Sequence, residues 1–258
     1  MSKKQKEHIL FGRLGNKENE IKYFKEYLPL DAINIVEPFG GTFAIIRVVY
    51  KDDKYNKFVN DTDPAIYYIY THPEEYSNFS IKMNNIALSC KENKHVNFKK
   101  FMEIINNDTT IDKDSICFKY WKDEKIIKRN MIKSLQKINH DEALKLYKKI
   151  NFSCLRYMEI LMQHKNDPTA FIFIDPPYMF SDNSRYAMQQ CKSGTDITDI
   201  LINIYEIFND PNTKAKIMLV INSLKIIKWL FDGFIKKEYE KNYTISKRQE
   251  KILIICNY

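Results

Sequence analysis

The chain has 258 residues, 44% of them hydrophobic and 14% aromatic, enough for a large core in one domain, or in one domain with a sizeable insertion. Its five cysteines (Cys90, Cys117, Cys154, Cys191, Cys256) form no CxxC and no Cys/His ligand spacing, so neither a disulfide framework nor a metal site is expected, and no apolar run approaches the about 20 residues of a membrane span. A net charge of +8 favours a polyanionic partner such as nucleic acid, and the cysteine usage and the missing apolar segments predict a soluble protein of a reducing, intracellular compartment.

In chain order, the loop Phe11-Gly12-Arg13-Leu14-Gly15-Asn16-Lys17 precedes a segment, Asn19 to Leu28, with Ile21, Phe24 and Leu28 at helical spacing before Pro29. Ile33 to Val36 is a short β-branched run that ends in Glu37-Pro38-Phe39-Gly40-Gly41. Lys57 to Asp61 reads as a second strand, closing on an acid. From Pro64 to about Asn151 the strand–turn–helix rhythm is lost, and aromatics, lysines and asparagines mix. Between Lys119 and Lys149 there are ten Lys/Arg against four acids, with Phe118, Tyr120 and Trp121 at the edge of this basic run. Bases stack on aromatics and phosphates take lysines, so Tyr120, Trp121, Lys122, Lys125, Lys128, Arg129 and Lys133 are candidate nucleic-acid contacts; the plainer alternative is a solvated helical face.

Phe171 to Ile174 reads as a buried strand that stops at Asp175-Pro176-Pro177-Tyr178. Asp196 to Phe208 has helical spacing, Lys216 to Asn222 is another strand, Ser223 to Phe231 a short helix, and Ile252 to Cys256 a last buried strand. The first three strands all carry polar punctuation at their C-terminal ends, where open parallel sheets bind ligands.

The Asp175–Tyr178 tetrapeptide fits one demanding reaction, methyl transfer to an exocyclic amine. The lone pair of such an amine is delocalised into the ring, so the nitrogen is a weak nucleophile. Two acceptors aimed at its N–H bonds hold it, favour pyramidalisation and stabilise the charge that develops. Asp175 offers a carboxylate and Pro176 a carbonyl; Pro176 and Pro177 keep the backbone rigid with no competing N–H. Tyr178 offers a face on which an extruded base can stack. Paired glycines after a strand (Gly40, Gly41, behind Glu37, Pro38 and Phe39) allow a ligand close to the backbone, and Asp61 suits ribose hydroxyls. Lys17 suits a ligand carboxylate. Taken singly, each has a plainer explanation: a strand-ending turn, an Asn-Asp turn, a surface lysine.

The motifs FGRLGNK, VEPFGGTF, VND at 59–61 and FIDPPY at 173–178, in this order, resemble the Dam-like, D12-class adenine-N6 DNA methyltransferases. The resemblance implies an α/β, Rossmann-like S-adenosylmethionine-dependent methyltransferase fold, with residues 1–63 and 151–258 as the catalytic domain and 64–150 as a mainly helical target-recognition insertion. It implies double-stranded DNA with the target adenine flipped out, catalysis by Asp175, Pro176, Pro177 and Tyr178, and S-adenosylmethionine held by Phe11, Gly15, Lys17, Glu37, Pro38, Phe39, Gly40, Gly41, Asp61, Tyr157 and Asp175. The sequence departs from the family in two places. Gly15-Asn16 replaces two adjacent glycines, and Arg156 stands before Tyr157 where the family tends to have an acid. The same chemistry on RNA or on cytosine N4, and a nucleic-acid-binding module of this fold without turnover, are the alternatives.

Overall fold

In a computed structural model of the chain, which describes residues 10, 17–92, 95–123, 140–178, 197–242 and 249–258, seven segments assemble into one sheet. They are β1 (Asn34–Glu37), β2 (Asn56–Asn60), β3 (Asn151–Ser153), β4 (Ala170–Ile174), β5 (Lys216–Asn222), β6 (Ile235–Asn242) and β7 (Gln249–Cys256). Their spatial order is β3-β2-β1-β4-β5-β7-β6. The first five run parallel, and β7 lies antiparallel between β5 and β6. This is a doubly wound Rossmann-like sheet whose last strand folds back into the sheet.

The composition of each strand explains its position. All five residues of β4 and the inner five of β5 are buried, as expected for strands covered on both faces. Each large apolar side chain here, Phe171 or Ile172 for example, contributes about 1.5–3 kcal/mol relative to exposure. The edge strand β6 instead reads IKKEYEKN, with a register irregularity between Ile235 and Lys237. Charges and a bulge guard an edge against pairing with another chain.

The chain leaves β1 toward β2 and β3, then returns to β4 on the other side of β1. The switch point therefore lies between β1 and β4, where ligands bind in open α/β sheets. The register pairs Ile35 with Phe171 and Val36 with Ile172, which brings the exits of β1 and β4 side by side.

The chain divides into two compact units, one formed by Lys17–Asp63 with Ile150–Tyr258 and the other containing Pro64–Lys149. The second is mainly helical: Pro64–Thr71, Pro73–Ser89, Phe98–Asn107, Ile116–Asp123 and His140–Tyr147, with a two-stranded ribbon at Lys91–Glu92 and His95–Val96. Met83, Ala87, Cys90, Phe101, Ile105 and Phe118 belong to its core. Asn97 caps the helix Phe98–Asn107 by accepting from the Lys100 amide at 3.1 Å. Among the described residues no helix is long and apolar enough to cross a membrane.

The helix expected over Asn19 to Leu28 is broken into Lys17–Asn19 and Lys25–Tyr27, both 3₁₀, around one α-helical turn at Ile21–Phe24. Phe24, at φ −124° and ψ 5°, ends the α-helical turn. Ile21, Phe24 and Leu28 are buried nonetheless, so the periodicity marks the inward face correctly.

Candidate active site

Beyond β1 the chain turns at Gly40 and Gly41, with Gly41 at φ 51°, a region that glycine enters freely. Phe43 follows at φ 38°, an unusual conformation for a bulky residue. The loop is held from below by two acidic side chains. Glu37, 3% exposed, accepts the Ile46 amide at 2.8 Å and so ties the strand end to the helix Ala44–Val48. Burial pushes the Glu37 carboxyl up to about 8, against the opposing pull of the Ile46 amide and the Arg47 guanidinium. Asp61 accepts the Gly41 amide through Oδ2 and the Asp63 amide through Oδ1, both at 3.0 Å. Asn60 completes the frame: its amide nitrogen donates to the Pro38 and Leu155 carbonyls, and its Oδ1 accepts from Ser153 and the Leu155 amide.

An aromatic wall stands beside this loop. Phe39 stacks on Tyr157 with ring centroids 5.2 Å apart and planes inclined by 26°. The Tyr157 hydroxyl accepts from Asn203 at 2.8 Å, which fixes the ring from the helix Ile197–Asn209. Arg156 lies exposed at the start of the helix Tyr157–His164.

At the exit of β4, the Asp175 side chain is 20% exposed, in contrast to the fully buried strand before it. Lys17, itself almost fully buried, places its Nζ 2.7 Å from Asp175 Oδ1 and 5.0 Å from the centre of the Tyr178 ring. Burial raises the Asp175 carboxyl above its ordinary range, and the Lys17 ammonium pulls it back down. Burial tends to lower Lys17, but the Asp175 and Glu20 carboxylates more than offset this and hold its proton. Pro176 and Tyr178 are buried and Pro177 is partly exposed.

Behind this pair lies a group that the sequence did not reveal. Glu20 accepts from the Tyr239 hydroxyl and from Lys241, each at 2.7 Å, and its Oε1 is 4.0 Å from Lys17 Nζ. Tyr239 stacks on Tyr23 at 4.4 Å. Burial, and then the Lys17 charge, lower Lys241; Glu20 opposes the shift. Two ammonium groups and two carboxylates thus form one largely buried and electrically balanced chain, Asp175–Lys17–Glu20–Lys241.

The structure therefore gathers Lys17, Asp175 and Tyr178 at the exit of β4, and Glu37, Pro38, Phe39, Gly40 and Gly41 at the exit of β1, where Asp61 from the end of β2 and Tyr157 from the helix after β3 meet the loop. Lys17, expected to face a cofactor carboxylate, is here paired with Asp175. Tyr120, expected to stack on bases, is corrected: it is 8% exposed and packs edge-on to Tyr76 at 6.4 Å, so its ring serves the helical unit's core. Phe11, Gly15, Lys125, Lys128, Arg129 and Lys133 lie outside the described residues, as do the side chains of Trp121 and Lys122.

A seven-stranded, mostly parallel sheet with a glycine loop and an acid–proline turn side by side at its switch point defines a Rossmann-like methyltransferase fold. Residues 126–245 match the model of the D12 class N6 adenine-specific DNA methyltransferases, a span that includes Asp175 to Tyr178. The Type II methyltransferase M.CviBI of Paramecium bursaria Chlorella virus NC1A is 25% identical over 272 aligned residues, covering 95% of this chain and 97% of that relative. Both findings are likenesses to DNA methyltransferases: the first covers the strand and turn that carry Asp175, the second nearly the whole chain.

Proposed function

We propose that the paired exits of β1 and β4 form one active site that transfers a methyl group from S-adenosylmethionine to N6 of adenine in DNA. The observation that carries this is the placement of Asp175. Its side chain, 20% exposed, stands at the end of a fully buried strand, beside the glycine loop at the switch point.

The residues at the β1 exit suit the donor molecule. Gly40 and Gly41 allow close approach of a ligand, the Phe39–Tyr157 pair offers an apolar wall for an adenine ring, and Asp61, which accepts the Gly41 amide, is the acceptor assigned to the ribose hydroxyls. When bound there, S-adenosylmethionine supplies a methyl group on a cationic sulfur, which leaves as a neutral thioether. At the β4 exit, the Asp175 carboxylate and the Pro176 carbonyl accept the two N–H bonds of the target amine and turn its lone pair toward the methyl carbon. As the new N–C bond forms, positive charge appears on the nitrogen and is stabilised by Asp175. The proton then leaves to this carboxylate or to water. The Tyr178 ring, 9% exposed before substrate enters, packs against the extruded base once it is seated; unstacking that base costs a few kcal/mol.

The unit containing Pro64–Lys149 carries substrate contacts in this scheme. Trp121, Lys122, Lys125, Lys128, Arg129 and Lys133 supply phosphate and stacking contacts that offset base extrusion. Tyr120, committed to the core, is not among them.

The test is nucleoside analysis of DNA and RNA after incubation with the protein and labelled S-adenosylmethionine. The expected product is N6-methyladenine in DNA. Label in N4-methylcytosine, or in RNA alone, would reassign the substrate, and cofactor-independent DNA binding without any transfer would make the chain a binding module.

A further inference from the structure

Lys17 has two carboxylates within reach. It touches Asp175 at 2.7 Å and stands 4.0 Å from Glu20. The lysine and Glu20 share a single 3₁₀ turn, closed by the Glu20 amide donating to the Lys17 carbonyl at 2.8 Å. Glu20 is anchored from β6 by the Tyr239 hydroxyl and Lys241, each at 2.7 Å, and is 5% exposed. One carboxylate partner thus lies at the strand exit, while the other is fixed in the protein behind it.

We propose that Glu20 is a positioning residue that provides a second seat for Lys17, so that the Asp175 carboxylate is released when the target amine arrives. The inference rests on the role proposed above for Asp175. Methyl transfer builds positive charge on a nitrogen held against that carboxylate. An ammonium kept on the same carboxylate repels the developing charge, most strongly where water is excluded. A shift of Lys17 toward Glu20 removes this repulsion while keeping the lysine paired, and it avoids the cost of an unpaired buried cation. Lys241 and Tyr239 hold Glu20 in place for this exchange. Without ligand, Lys17 occupies Asp175 and keeps that acid charge-paired.

Two experiments test the exchange. In a crystal structure of Asp175→Asn, the Lys17 ammonium is expected within hydrogen-bond distance of Glu20; a lysine that stays on residue 175 overturns the proposal, whatever the activity of the wild type. In single-turnover methylation, Glu20→Gln is expected to lower the transfer rate by about tenfold or more, with DNA KM and S-adenosylmethionine affinity unchanged and with partial rescue by Glu20→Asp. An unchanged rate in Glu20→Gln contradicts the second seat, and so does a loss confined to KM. Failure of the Asp175 role itself reads out separately, as full activity of Asp175→Ala.

Discussion

The two neighbouring strand exits use their acids in opposite ways. At β1 and the adjoining end of β2, Glu37 and Asp61 accept backbone amides: Ile46 on one, Gly41 and Asp63 on the other. At β4, Asp175 and the nearby Glu20 are engaged by side chains: Lys17, Lys241 and Tyr239. An amide belongs to the loop it sits in, so an acid bound to amides fixes a backbone shape. An ammonium on a flexible stem can change partners. The first arrangement suits a cradle for a ligand, and the second suits a group that must change hands during a reaction.

Substitutions sharpen or break this contrast, beginning with the largest expected effect. Asp175→Ala should reduce methyl transfer by about 10²–10³-fold or more, while S-adenosylmethionine binding by calorimetry stays within a few-fold. Equal losses of both would merge the two exits into one structural unit. Glu37 should reveal itself through pH. Its folded value of about 8 lies above the ordinary 4.5, so the folded state holds the proton more tightly. Its contribution is complete below about 4.5 and is lost as pH rises through about 8, at up to about 1.4 kcal/mol per pH unit. Urea midpoints should therefore fall between pH 5 and pH 8 in the wild type and fall less in Glu37→Gln; parallel profiles would contradict the buried neutral acid.

Asp61→Ala abandons two loop amides and should cost about 1–3 kcal/mol of stability, with about tenfold weaker cofactor binding. Cofactor affinity equal to wild type would remove Asp61 from the cradle. The smallest functional effect is expected for Tyr239→Phe. It removes one of two strong partners of Glu20 and should cost about 1.5–3 kcal/mol of stability, with the transfer rate altered only a few-fold.

What the sequence made legible follows from these same interactions. Motifs at β1, β2 and β4 stand out because each apolar run ends abruptly in a polar turn, and a covered parallel sheet requires that punctuation. Ala170–Ile174 and Lys216–Asn222 announce themselves by continuous burial. The edge strand β6 does not, because the lysines and glutamates that protect an edge also erase the strand pattern. Glu20 was unreadable for a different reason: its partner Tyr239 is 219 residues away, and no local spacing encodes that contact. Tyr120 misled because aromatics among lysines look alike whether they face a partner or a core. Only tertiary packing against Tyr76 assigns it inward. The break in the segment Lys17–Tyr27 was equally hidden, since Ile21, Phe24 and Leu28 keep their burial through a mixture of 3₁₀ and α turns.

The central claim is that β1 cradles the methyl donor while β4 receives the amine. A crystal structure with sinefungin, an analogue carrying an amine where the donor has its methyl-bearing sulfur, addresses it most directly. The analogue should lie over Gly40 and Gly41, with its adenine against Phe39 or Tyr157 and its amine directed toward Asp175. Sinefungin bound away from both exits, or lying over the loop with its amine facing away from Asp175, would contradict the account.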